Sequence, residues 1–479
     1  MTSLLRHSAI YLLARGLPGI VNFLAIAIYT RLLSPDEYGR YALVVAGVGL
    51  ANTVLFQWLC LSVLRFLPTY QTPAQLLSSV KGVYYAIVGA TGLIAAGAAV
   101  LGVPAEWKRL VLVALPLLWF QAWFDLNLEI TRTRLHPVRY GLGAGTRALT
   151  MVATGTLLAH WYPVAYAPLT GLIIGAVAGG MLLARKQWWG FWANLEKKVI
   201  QQILRYGLPL TGTFALSFVV SYSDRFLLAH YLGEQAAGLY AAGYDMVSQT
   251  LIVAMMVVNM AAYPLAISAL EQQGLEAAQT QLLHNMWLLL TTATPLAVVM
   301  VVFSSEISSL ILGRQFHEAA GAIVPWVSVA VLLSGVRAYY FDLAFQLGKH
   351  TLGQLWVVGA AAVTNIALNI EWIPSWGLVG AAWATFAAYA VALVTSAILG
   401  KKVFPIPISW KAITQVAIAT LAMLGVWCVS PRTSGTWAIL LQAGVMLLVY
   451  CCCTLILFRF FRQRQIRWGQ RSRSTGVET

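Results

Sequence analysis

Long apolar runs, each about the length of a helix that crosses a bilayer, recur from one end of this 479-residue chain to the other. A helix rises about 1.5 Å per residue, so roughly 20 apolar residues cross the ~30 Å hydrocarbon layer. The runs are continuous and do not alternate at period two, which argues against a transmembrane β-barrel. Charged residues make up 10% of the chain and apolar ones 59%, whereas a soluble domain carries about 25% charged residues. The chain therefore reads as an all-α polytopic membrane protein. The runs place about fourteen spans, at 8–32, 41–66, 80–103, 110–131, 139–160, 165–185, 206–231, 238–266, 284–312, 320–347, 351–371, 378–400, 411–430 and 437–459.

The spans carry an internal echo. Arg205-Tyr206-Gly207-Leu208-Pro209 opens an apolar run that ends in the turn Leu232-Gly233-Glu234-Gln235-Ala236-Ala237-Gly238. Near the start, Arg15-Gly16-Leu17-Pro18 opens a run that ends in Leu33-Ser34-Pro35-Asp36-Glu37-Tyr38-Gly39. Pro18 and Pro209 are 191 residues apart, and Gly39 and Gly238 are 199 apart. Both copies read as helix, tight turn, helix, which points to a duplicated bundle. Six spans per half is an even number, so the halves are expected as parallel lobes around a central cavity. Residues 1–185 form the first lobe and 206–400 the second. A Trp- and Lys-bearing linker at 186–205 is expected along the membrane interface. Two further spans follow at 401–459, then a basic tail at 460–479, where contact with anionic lipid headgroups competes with a plain topology anchor.

Lys and Arg set the orientation. With the N-terminus in the cytoplasm, 21 of them fall in inside segments and 6 outside; four lie within spans. That asymmetry follows the positive-inside rule, with both termini cytoplasmic. It also accounts for the net charge of +15 without a nucleic-acid partner. The five cysteines, Cys60, Cys428 and Cys451 to Cys453, sit in apolar runs without metal spacing. No phosphate-binding loop, zinc signature or catalytic motif appears, so neither an enzyme nor a bound cofactor or metal is expected. The adjacent acids Asp36-Glu37 read as turn chemistry.

The four arginines within spans are Arg15, Arg147, Arg225 and Arg337. A charge at bilayer depth costs about 2.5–3.5 kcal/mol on insertion scales, so it faces a partner or a watery cavity. Asp224, Asp245 and Asp342 lie nearby in sequence, and Asp125 lies in span four. Two readings stay open. In one, the acids pair with Arg225 and Arg337 and hold helices in register. In the other, the arginines line a cationic cavity for an anionic substrate, since guanidinium groups suit phosphate oxygens. Asp224, Asp245 and Asp342 are then candidate ion-coupling groups. Asn365 and Asn369 read as helix–helix glue, and Gly377 to Thr385 as close packing.

The Arg15 and Thr30–Tyr41 stretches, the segment Asp224-Arg225-Phe226-Leu227-Leu228-Ala229-His230-Tyr231-Leu232-Gly233, and Gly377-Leu378-Val379-Gly380-Ala381-Ala382-Trp383-Ala384-Thr385 together resemble the polysaccharide transporter family. These are the Wzx-type oligosaccharide flippases of the multidrug/oligosaccharidyl-lipid/polysaccharide (MOP) superfamily. The resemblance implies a two-lobed bundle of twelve or fourteen helices in a bacterial inner membrane. It implies alternating-access transfer of undecaprenyl-diphosphate-linked oligosaccharide, with a glycan polymerase and glycosyltransferases as partners. Arg15, Arg147, Arg225 and Arg337 match the family's cationic cavity by type and depth. A cation-coupled drug exporter of the same fold, a glycan polymerase or ligase, and a non-transporting scaffold for glycan-assembly enzymes are the competing readings. The interior arginines argue against the exporter, and the short outer loops argue against the polymerase.

Overall fold

In the computed structural model, the described residues are 18–100, 105–184, 196–350, 352–430 and 435–474. All regular elements among them are helical. The first lobe comprises α1 (Pro18–Leu32), α2 (Pro35–Leu55), α3 (Gln57–Phe66), α4 (Pro73–Val100), α5 (Ala105–Thr133), α6 (Pro137–Trp161) and α7 (Tyr166–Ala184). The second comprises α8 (Lys197–Leu232), α9 (Glu234–Gln273), α10 (Leu275–Val302), α11 (Ser304–Ile311), α12 (His317–Val336), α13 (Leu343–Leu347) and α14 (Gly353–Val403). Helices α15 (Trp410–Val429) and α16 (Thr436–Ser474) follow.

Nine of the described helices are long and apolar enough to cross a membrane, or eleven if each bent pair is one span. Helix α1, at 15 described residues, and the less apolar α6 fall short of that measure, and α14 holds two helices joined at a kink. Gly377, at φ 58° and ψ −134°, breaks α14 into two spans. Only glycine takes that backbone conformation without strain. The segment read as helix packing thus begins with the turn between two spans.

The predicted second span is bent by 45° between α2 and α3. The seventh begins already at Lys197, inside the stretch assigned to the linker, and bends by 41° between Lys197–Leu208 and Thr211–Leu232. Val199 and Ile203 of its first segment are buried in the core of the first lobe. Ser62 Oγ donates to the Ile203 carbonyl at 3.0 Å. A helix that starts in one lobe's core and ends in the other's is a physical joint between them. The linker residues 186–195 and Arg15 lie outside the described residues.

Both turn motifs of the repeat form as expected. Ser34 caps α2, its Oγ accepting from the Glu37 N–H at 3.4 Å, and Pro35 occupies the first helical turn, where no donor is lost. Gly233, at φ 88°, makes the corresponding turn before α9. The two turns meet each other. A Cβ on Gly39 would overlap the Glu234 carbonyl oxygen, and a Cβ on Gly238 would overlap the Pro35 carbonyl oxygen. Pro35 and Glu234 share the 199-residue offset of the two glycines, so the contact is reciprocal, as at a two-fold interface. The lobes are therefore closed against each other at the turn end.

Candidate functional site

The three described interior arginines each stand beside a carboxylate, on different helices and at different exposures. Arg147 rises from α6, a helix drawn against α7 by small residues. A Cβ on Gly175 would lie 2.7 Å from the Arg147 carbonyl oxygen, and one on Gly171 would lie 2.7 Å from the Gly155 Cα. Such small-residue seams let membrane helices approach closely. From there the Arg147 guanidinium reaches over the Phe124 ring, 4.6 Å from its centroid. It donates to Asp125 Oδ1 on α5 at 3.4 Å. The other Asp125 oxygen accepts from Asn52 Nδ2 on α2 at 3.1 Å. Arg147 and Asp125 remain 24% and 27% exposed. Arg147 also lines a cavity of about 310 Å³ with Asn22, Tyr140, Phe124 and Met151. A long, single, partly exposed ion-pair contact leaves donors of this guanidinium free to take another anion.

Arg225 is different. Its side chain is 2% exposed. Nη2 donates to Asp245 Oδ1 of α9 at 2.5 Å, and the guanidinium lies over the Tyr222 ring at 4.7 Å. The neighbouring acid Asp224 does not take part in that pair through its side chain. It turns into the second lobe and accepts from Thr385 Oγ1 at 3.2 Å and from the Arg225 N–H at 3.0 Å. Arg337 belongs to a π-helical turn, Arg337–Phe341, closed by the Asp342 N–H on the Arg337 carbonyl at 2.8 Å. The extra residue in that turn swings Asp342 towards Arg337, whose Nη1 lies 3.8 Å from Asp342 Oδ2. Asp342 Oδ1 accepts from Ser396 Oγ on α14 at 2.6 Å. π-Turns inside helices concentrate at functional positions.

Next to Asp224 and Ser223 on α8 the second lobe places buried polar side chains that the sequence reading assigned to helix contact. Thr385 Oγ1 lies within hydrogen-bond distance of the Tyr240 hydroxyl at 3.1 Å. Ser223 Oγ and Asn369 Nδ2 donate to Asn365 Oδ1 at 2.8 and 3.0 Å. Asn365, Asn369, Thr385 and Asp224 are all fully buried. Asn369 Oδ1 has no hydrogen-bond partner among the described residues. Asp224, Thr385 and Tyr240 thus form one hydrogen-bonded group, and Ser223, Asn365 and Asn369 a second. The four-residue spacing of Asn365 and Asn369, on one helix face, was the available sequence signal. Among the described residues, no cluster of three or more His, Cys, Asp or Glu forms.

The acid pair read as turn chemistry has a further task. Glu37 and Glu234 share Arg40, at 2.8 and 2.5 Å, and Glu37 Oε2 accepts from the Ala165 N–H at 2.6 Å. Arg40 thus bridges the lobes beside Gly39. Tyr38 packs edge-on to Phe316 of the second lobe, with ring centroids 5.5 Å apart. The sequence offers no signal for this bridge, because its partners lie 194 residues apart.

Residues 4–271 match the family described as polysaccharide biosynthesis protein. The uncharacterized membrane protein MJ1068 of Methanocaldococcus jannaschii is 25% identical over 208 residues, 41% of this chain and 38% of that protein. Lsg locus protein 1 of Haemophilus influenzae is 28% identical over 185 residues, 37% of this chain and 45% of that protein. The matches thus span less than half the length of these curated relatives. The fold is similar to that of a solved structure of the lipid II flippase MurJ, itself in an inward closed conformation, with TM-score 0.78 and 16% identity over 95% of this chain and 99% of that one. An inward-facing multidrug resistance MATE family transporter of the MOP superfamily follows at TM-score 0.63 and 12% identity, over 82% and 97% of the chains.

Proposed function

The chain belongs to the polysaccharide biosynthesis protein family, and from that premise we propose that it is a flippase for undecaprenyl-diphosphate-linked oligosaccharide. It moves the lipid-linked glycan from the inner to the outer leaflet of a bacterial cytoplasmic membrane, by alternating access of the space between its lobes, for cell-surface or exported polysaccharide such as O-antigen and lipopolysaccharide. Both termini face the cytoplasm. The lipid tail stays in the bilayer while the diphosphate sugar moves, because a diphosphate cannot enter hydrocarbon without replacement of its hydration.

The observation that carries this reading is Arg147, a partly exposed guanidinium on a cavity that it shares with Asn22 and Tyr140. It is the group proposed to receive the diphosphate. Arg337, near its 3.8 Å partner, is the candidate in the second lobe. Arg15 stays a candidate by sequence. Arg225, fully enclosed and paired, is assigned a positioning role. The test is transfer of a fluorescent undecaprenyl-diphosphate oligosaccharide across proteoliposomes, read by access of an external enzyme to its sugar. Arg147→Ala is expected to lower the rate by about 10–100-fold, as loss of one charged hydrogen bond of roughly 1.5–3 kcal/mol predicts, with Arg147→Lys intermediate. Unchanged transfer in both variants would remove Arg147 from the substrate path.

The buried acid Asp224, which accepts from Thr385 Oγ1, is proposed to couple transfer to a cation gradient. In the same vesicles, Asp224→Asn is expected to abolish the stimulation that an imposed sodium or proton gradient gives the wild type. Stimulation preserved in Asp224→Asn would place the coupling elsewhere.

The cation-coupled exporter reading gains from one observation: every described interior arginine has a carboxylate beside it, so the net positive charge of the interior is smaller than the arginines alone suggest. Gradient-driven movement of a cationic dye, with no movement of the lipid-linked sugar, would establish that reading instead.

A further inference from the structure

Packing aims the Arg147 side chain. A Cβ on Gly179 of α7 would lie 2.8 Å from Phe124 Cε2 and 2.9 Å from Arg147 Cβ, so this glycine makes room for both. The guanidinium then lies over the Phe124 ring, a cation–π contact that orients it without a hydrogen bond. What the neighbouring Asp125 adds is charge. It receives a single nitrogen, Nη1, at 3.4 Å, whereas a carboxylate and a guanidinium that meet squarely form two bonds of about 2.7–2.9 Å. The second carboxylate oxygen accepts from Asn52 Nδ2 of α2 at 3.1 Å. Asn52 is buried, so its amide holds the carboxylate away from a two-bond pairing with Arg147.

Among the described residues, the cavity beside Arg147 has no acid in its lining. Arg147 is the one charged side chain there, and Asp125 touches the guanidinium without lining the cavity. An anion in the cavity and the Asp125 carboxylate would therefore share one guanidinium. Two anions on one cation repel each other, so each weakens the hold of the other. The Arg225–Asp245 pair offers no such competition, because its guanidinium is enclosed.

We propose that Asp125 is a counter-ion that exchanges with the substrate diphosphate for Arg147, and that Asn52 is the tether that keeps the exchange reversible. The inference rests on the reading that Arg147 receives the diphosphate. In the empty site the carboxylate partly neutralises the guanidinium. On binding, the diphosphate takes the donors that Asp125 leaves open, and the Arg147–Asp125 contact weakens. On release, Asp125 recovers the guanidinium and lowers the cost of leaving it without its substrate. A carrier has to let go as well as bind, and an arginine without this partner would retain the diphosphate for longer.

The test is equilibrium binding of undecaprenyl diphosphate to the full-length protein in detergent, with uncharged undecaprenol as the control, beside transfer in proteoliposomes. Asp125→Asn is expected to bind undecaprenyl diphosphate about fivefold more tightly, the upper range for a partly exposed ion pair. Its binding of undecaprenol should not change, and its transfer at saturating substrate should be slower. Asn52→Ala frees the carboxylate to pair with Arg147 through both oxygens, so it is expected to bind undecaprenyl diphosphate more weakly. Purely structural roles would not give opposite signs at two hydrogen-bonded neighbours. Unchanged or weaker binding by Asp125→Asn, with Arg147→Ala weaker than wild type, would overturn the counter-ion role and leave Arg147 as the diphosphate site. Unchanged or faster saturating transfer by Asp125→Asn would also overturn it. Wild-type binding by Arg147→Ala would overturn both this inference and the reading beneath it. If Asp125→Asn does not fold, Asn52→Ala decides: weaker binding of the diphosphate alone supports the exchange, and unchanged or tighter binding overturns it.

Discussion

Gly238→Val will prevent the two lobes from closing at their turn end and will lower transport by at least about tenfold. The glycine has no room for a side chain. A Cβ there would overlap the Pro35 carbonyl oxygen and lie 2.7 Å from the Gly39 nitrogen and 3.0 Å from its Cα. These are backbone atoms of a helix start, so they cannot swing aside as a flexible side chain does. Helices α2 and α9 must separate, and the Arg40–Glu234 bridge beside them must lengthen. Overpacking of this kind costs about 1–3 kcal/mol or more, and each 1.4 kcal/mol is a tenfold shift between closed and open arrangements. Gly39→Val should behave alike, because the Glu234 carbonyl oxygen stands against it in the reciprocal position. Gly238→Ala should be milder in degree but of the same sign. Transfer rate in proteoliposomes, with thermal unfolding in detergent to establish that the protein is folded, is the measurement. Wild-type transfer by Gly238→Val would mean that the turn-end contact is not part of the transport cycle.

Asp245→Ala will destabilise the protein more than Arg225→Ala, although the two residues form one ion pair. Removing one member of a buried pair costs about 3–5 kcal/mol, because it strands the other charge. The cost depends on what is stranded. Asp245→Ala leaves a guanidinium that is 2% exposed, whose Nε already lacks a hydrogen-bond partner among the described residues. Arg225→Ala leaves a carboxylate that is 27% exposed and can be hydrated. Aromatic faces soften the first case, with Tyr222 and Tyr244 ring centroids 4.7 and 5.8 Å from the guanidinium carbon. They cannot replace the carboxylate. The double variant Arg225→Ala with Asp245→Ala should cost less than the sum of the single changes, by about 0.5–3 kcal/mol of coupling. Midpoints of thermal unfolding for the four proteins test the order. Equal losses in the two single variants would show that exposure does not set the cost here.

The spans were legible because hydrocarbon thickness imposes the same requirement on every segment. A helix satisfies its own backbone, so about 20 apolar residues suffice to announce it. The duplication was legible for a similar reason. Ser34-Pro35 and Gly233-Glu234 carry local turn chemistry that needs no distant partner. Boundaries were less legible at the joint, where α8 extends back to Lys197 because Val199 and Ile203 pack into the first lobe. Continuous apolar composition also concealed the 45° bend between α2 and α3.

Which residues share a site was another matter. Asp224 and Arg225 are adjacent in sequence, and either Asp224 or Asp245 was an eligible partner for Arg225. Consecutive helical residues point about 100° apart, so the two side chains enter different surroundings. Arg225 meets Asp245 on α9, whereas Asp224 meets Thr385, 161 residues away. Arg147 finds Asp125 on α5, a partner the sequence reading did not propose. The sequence by itself determined an all-helical membrane chain of two related lobes with charges at bilayer depth. Span length, turn chemistry and the cost of burying charge act locally, and each can be read along the chain. Tertiary structure alone decided which carboxylate meets each described interior arginine and which glycines meet across the lobes. Those outcomes depend on rotation and contact between helices distant in sequence, which hydrophobicity constrains only to a face.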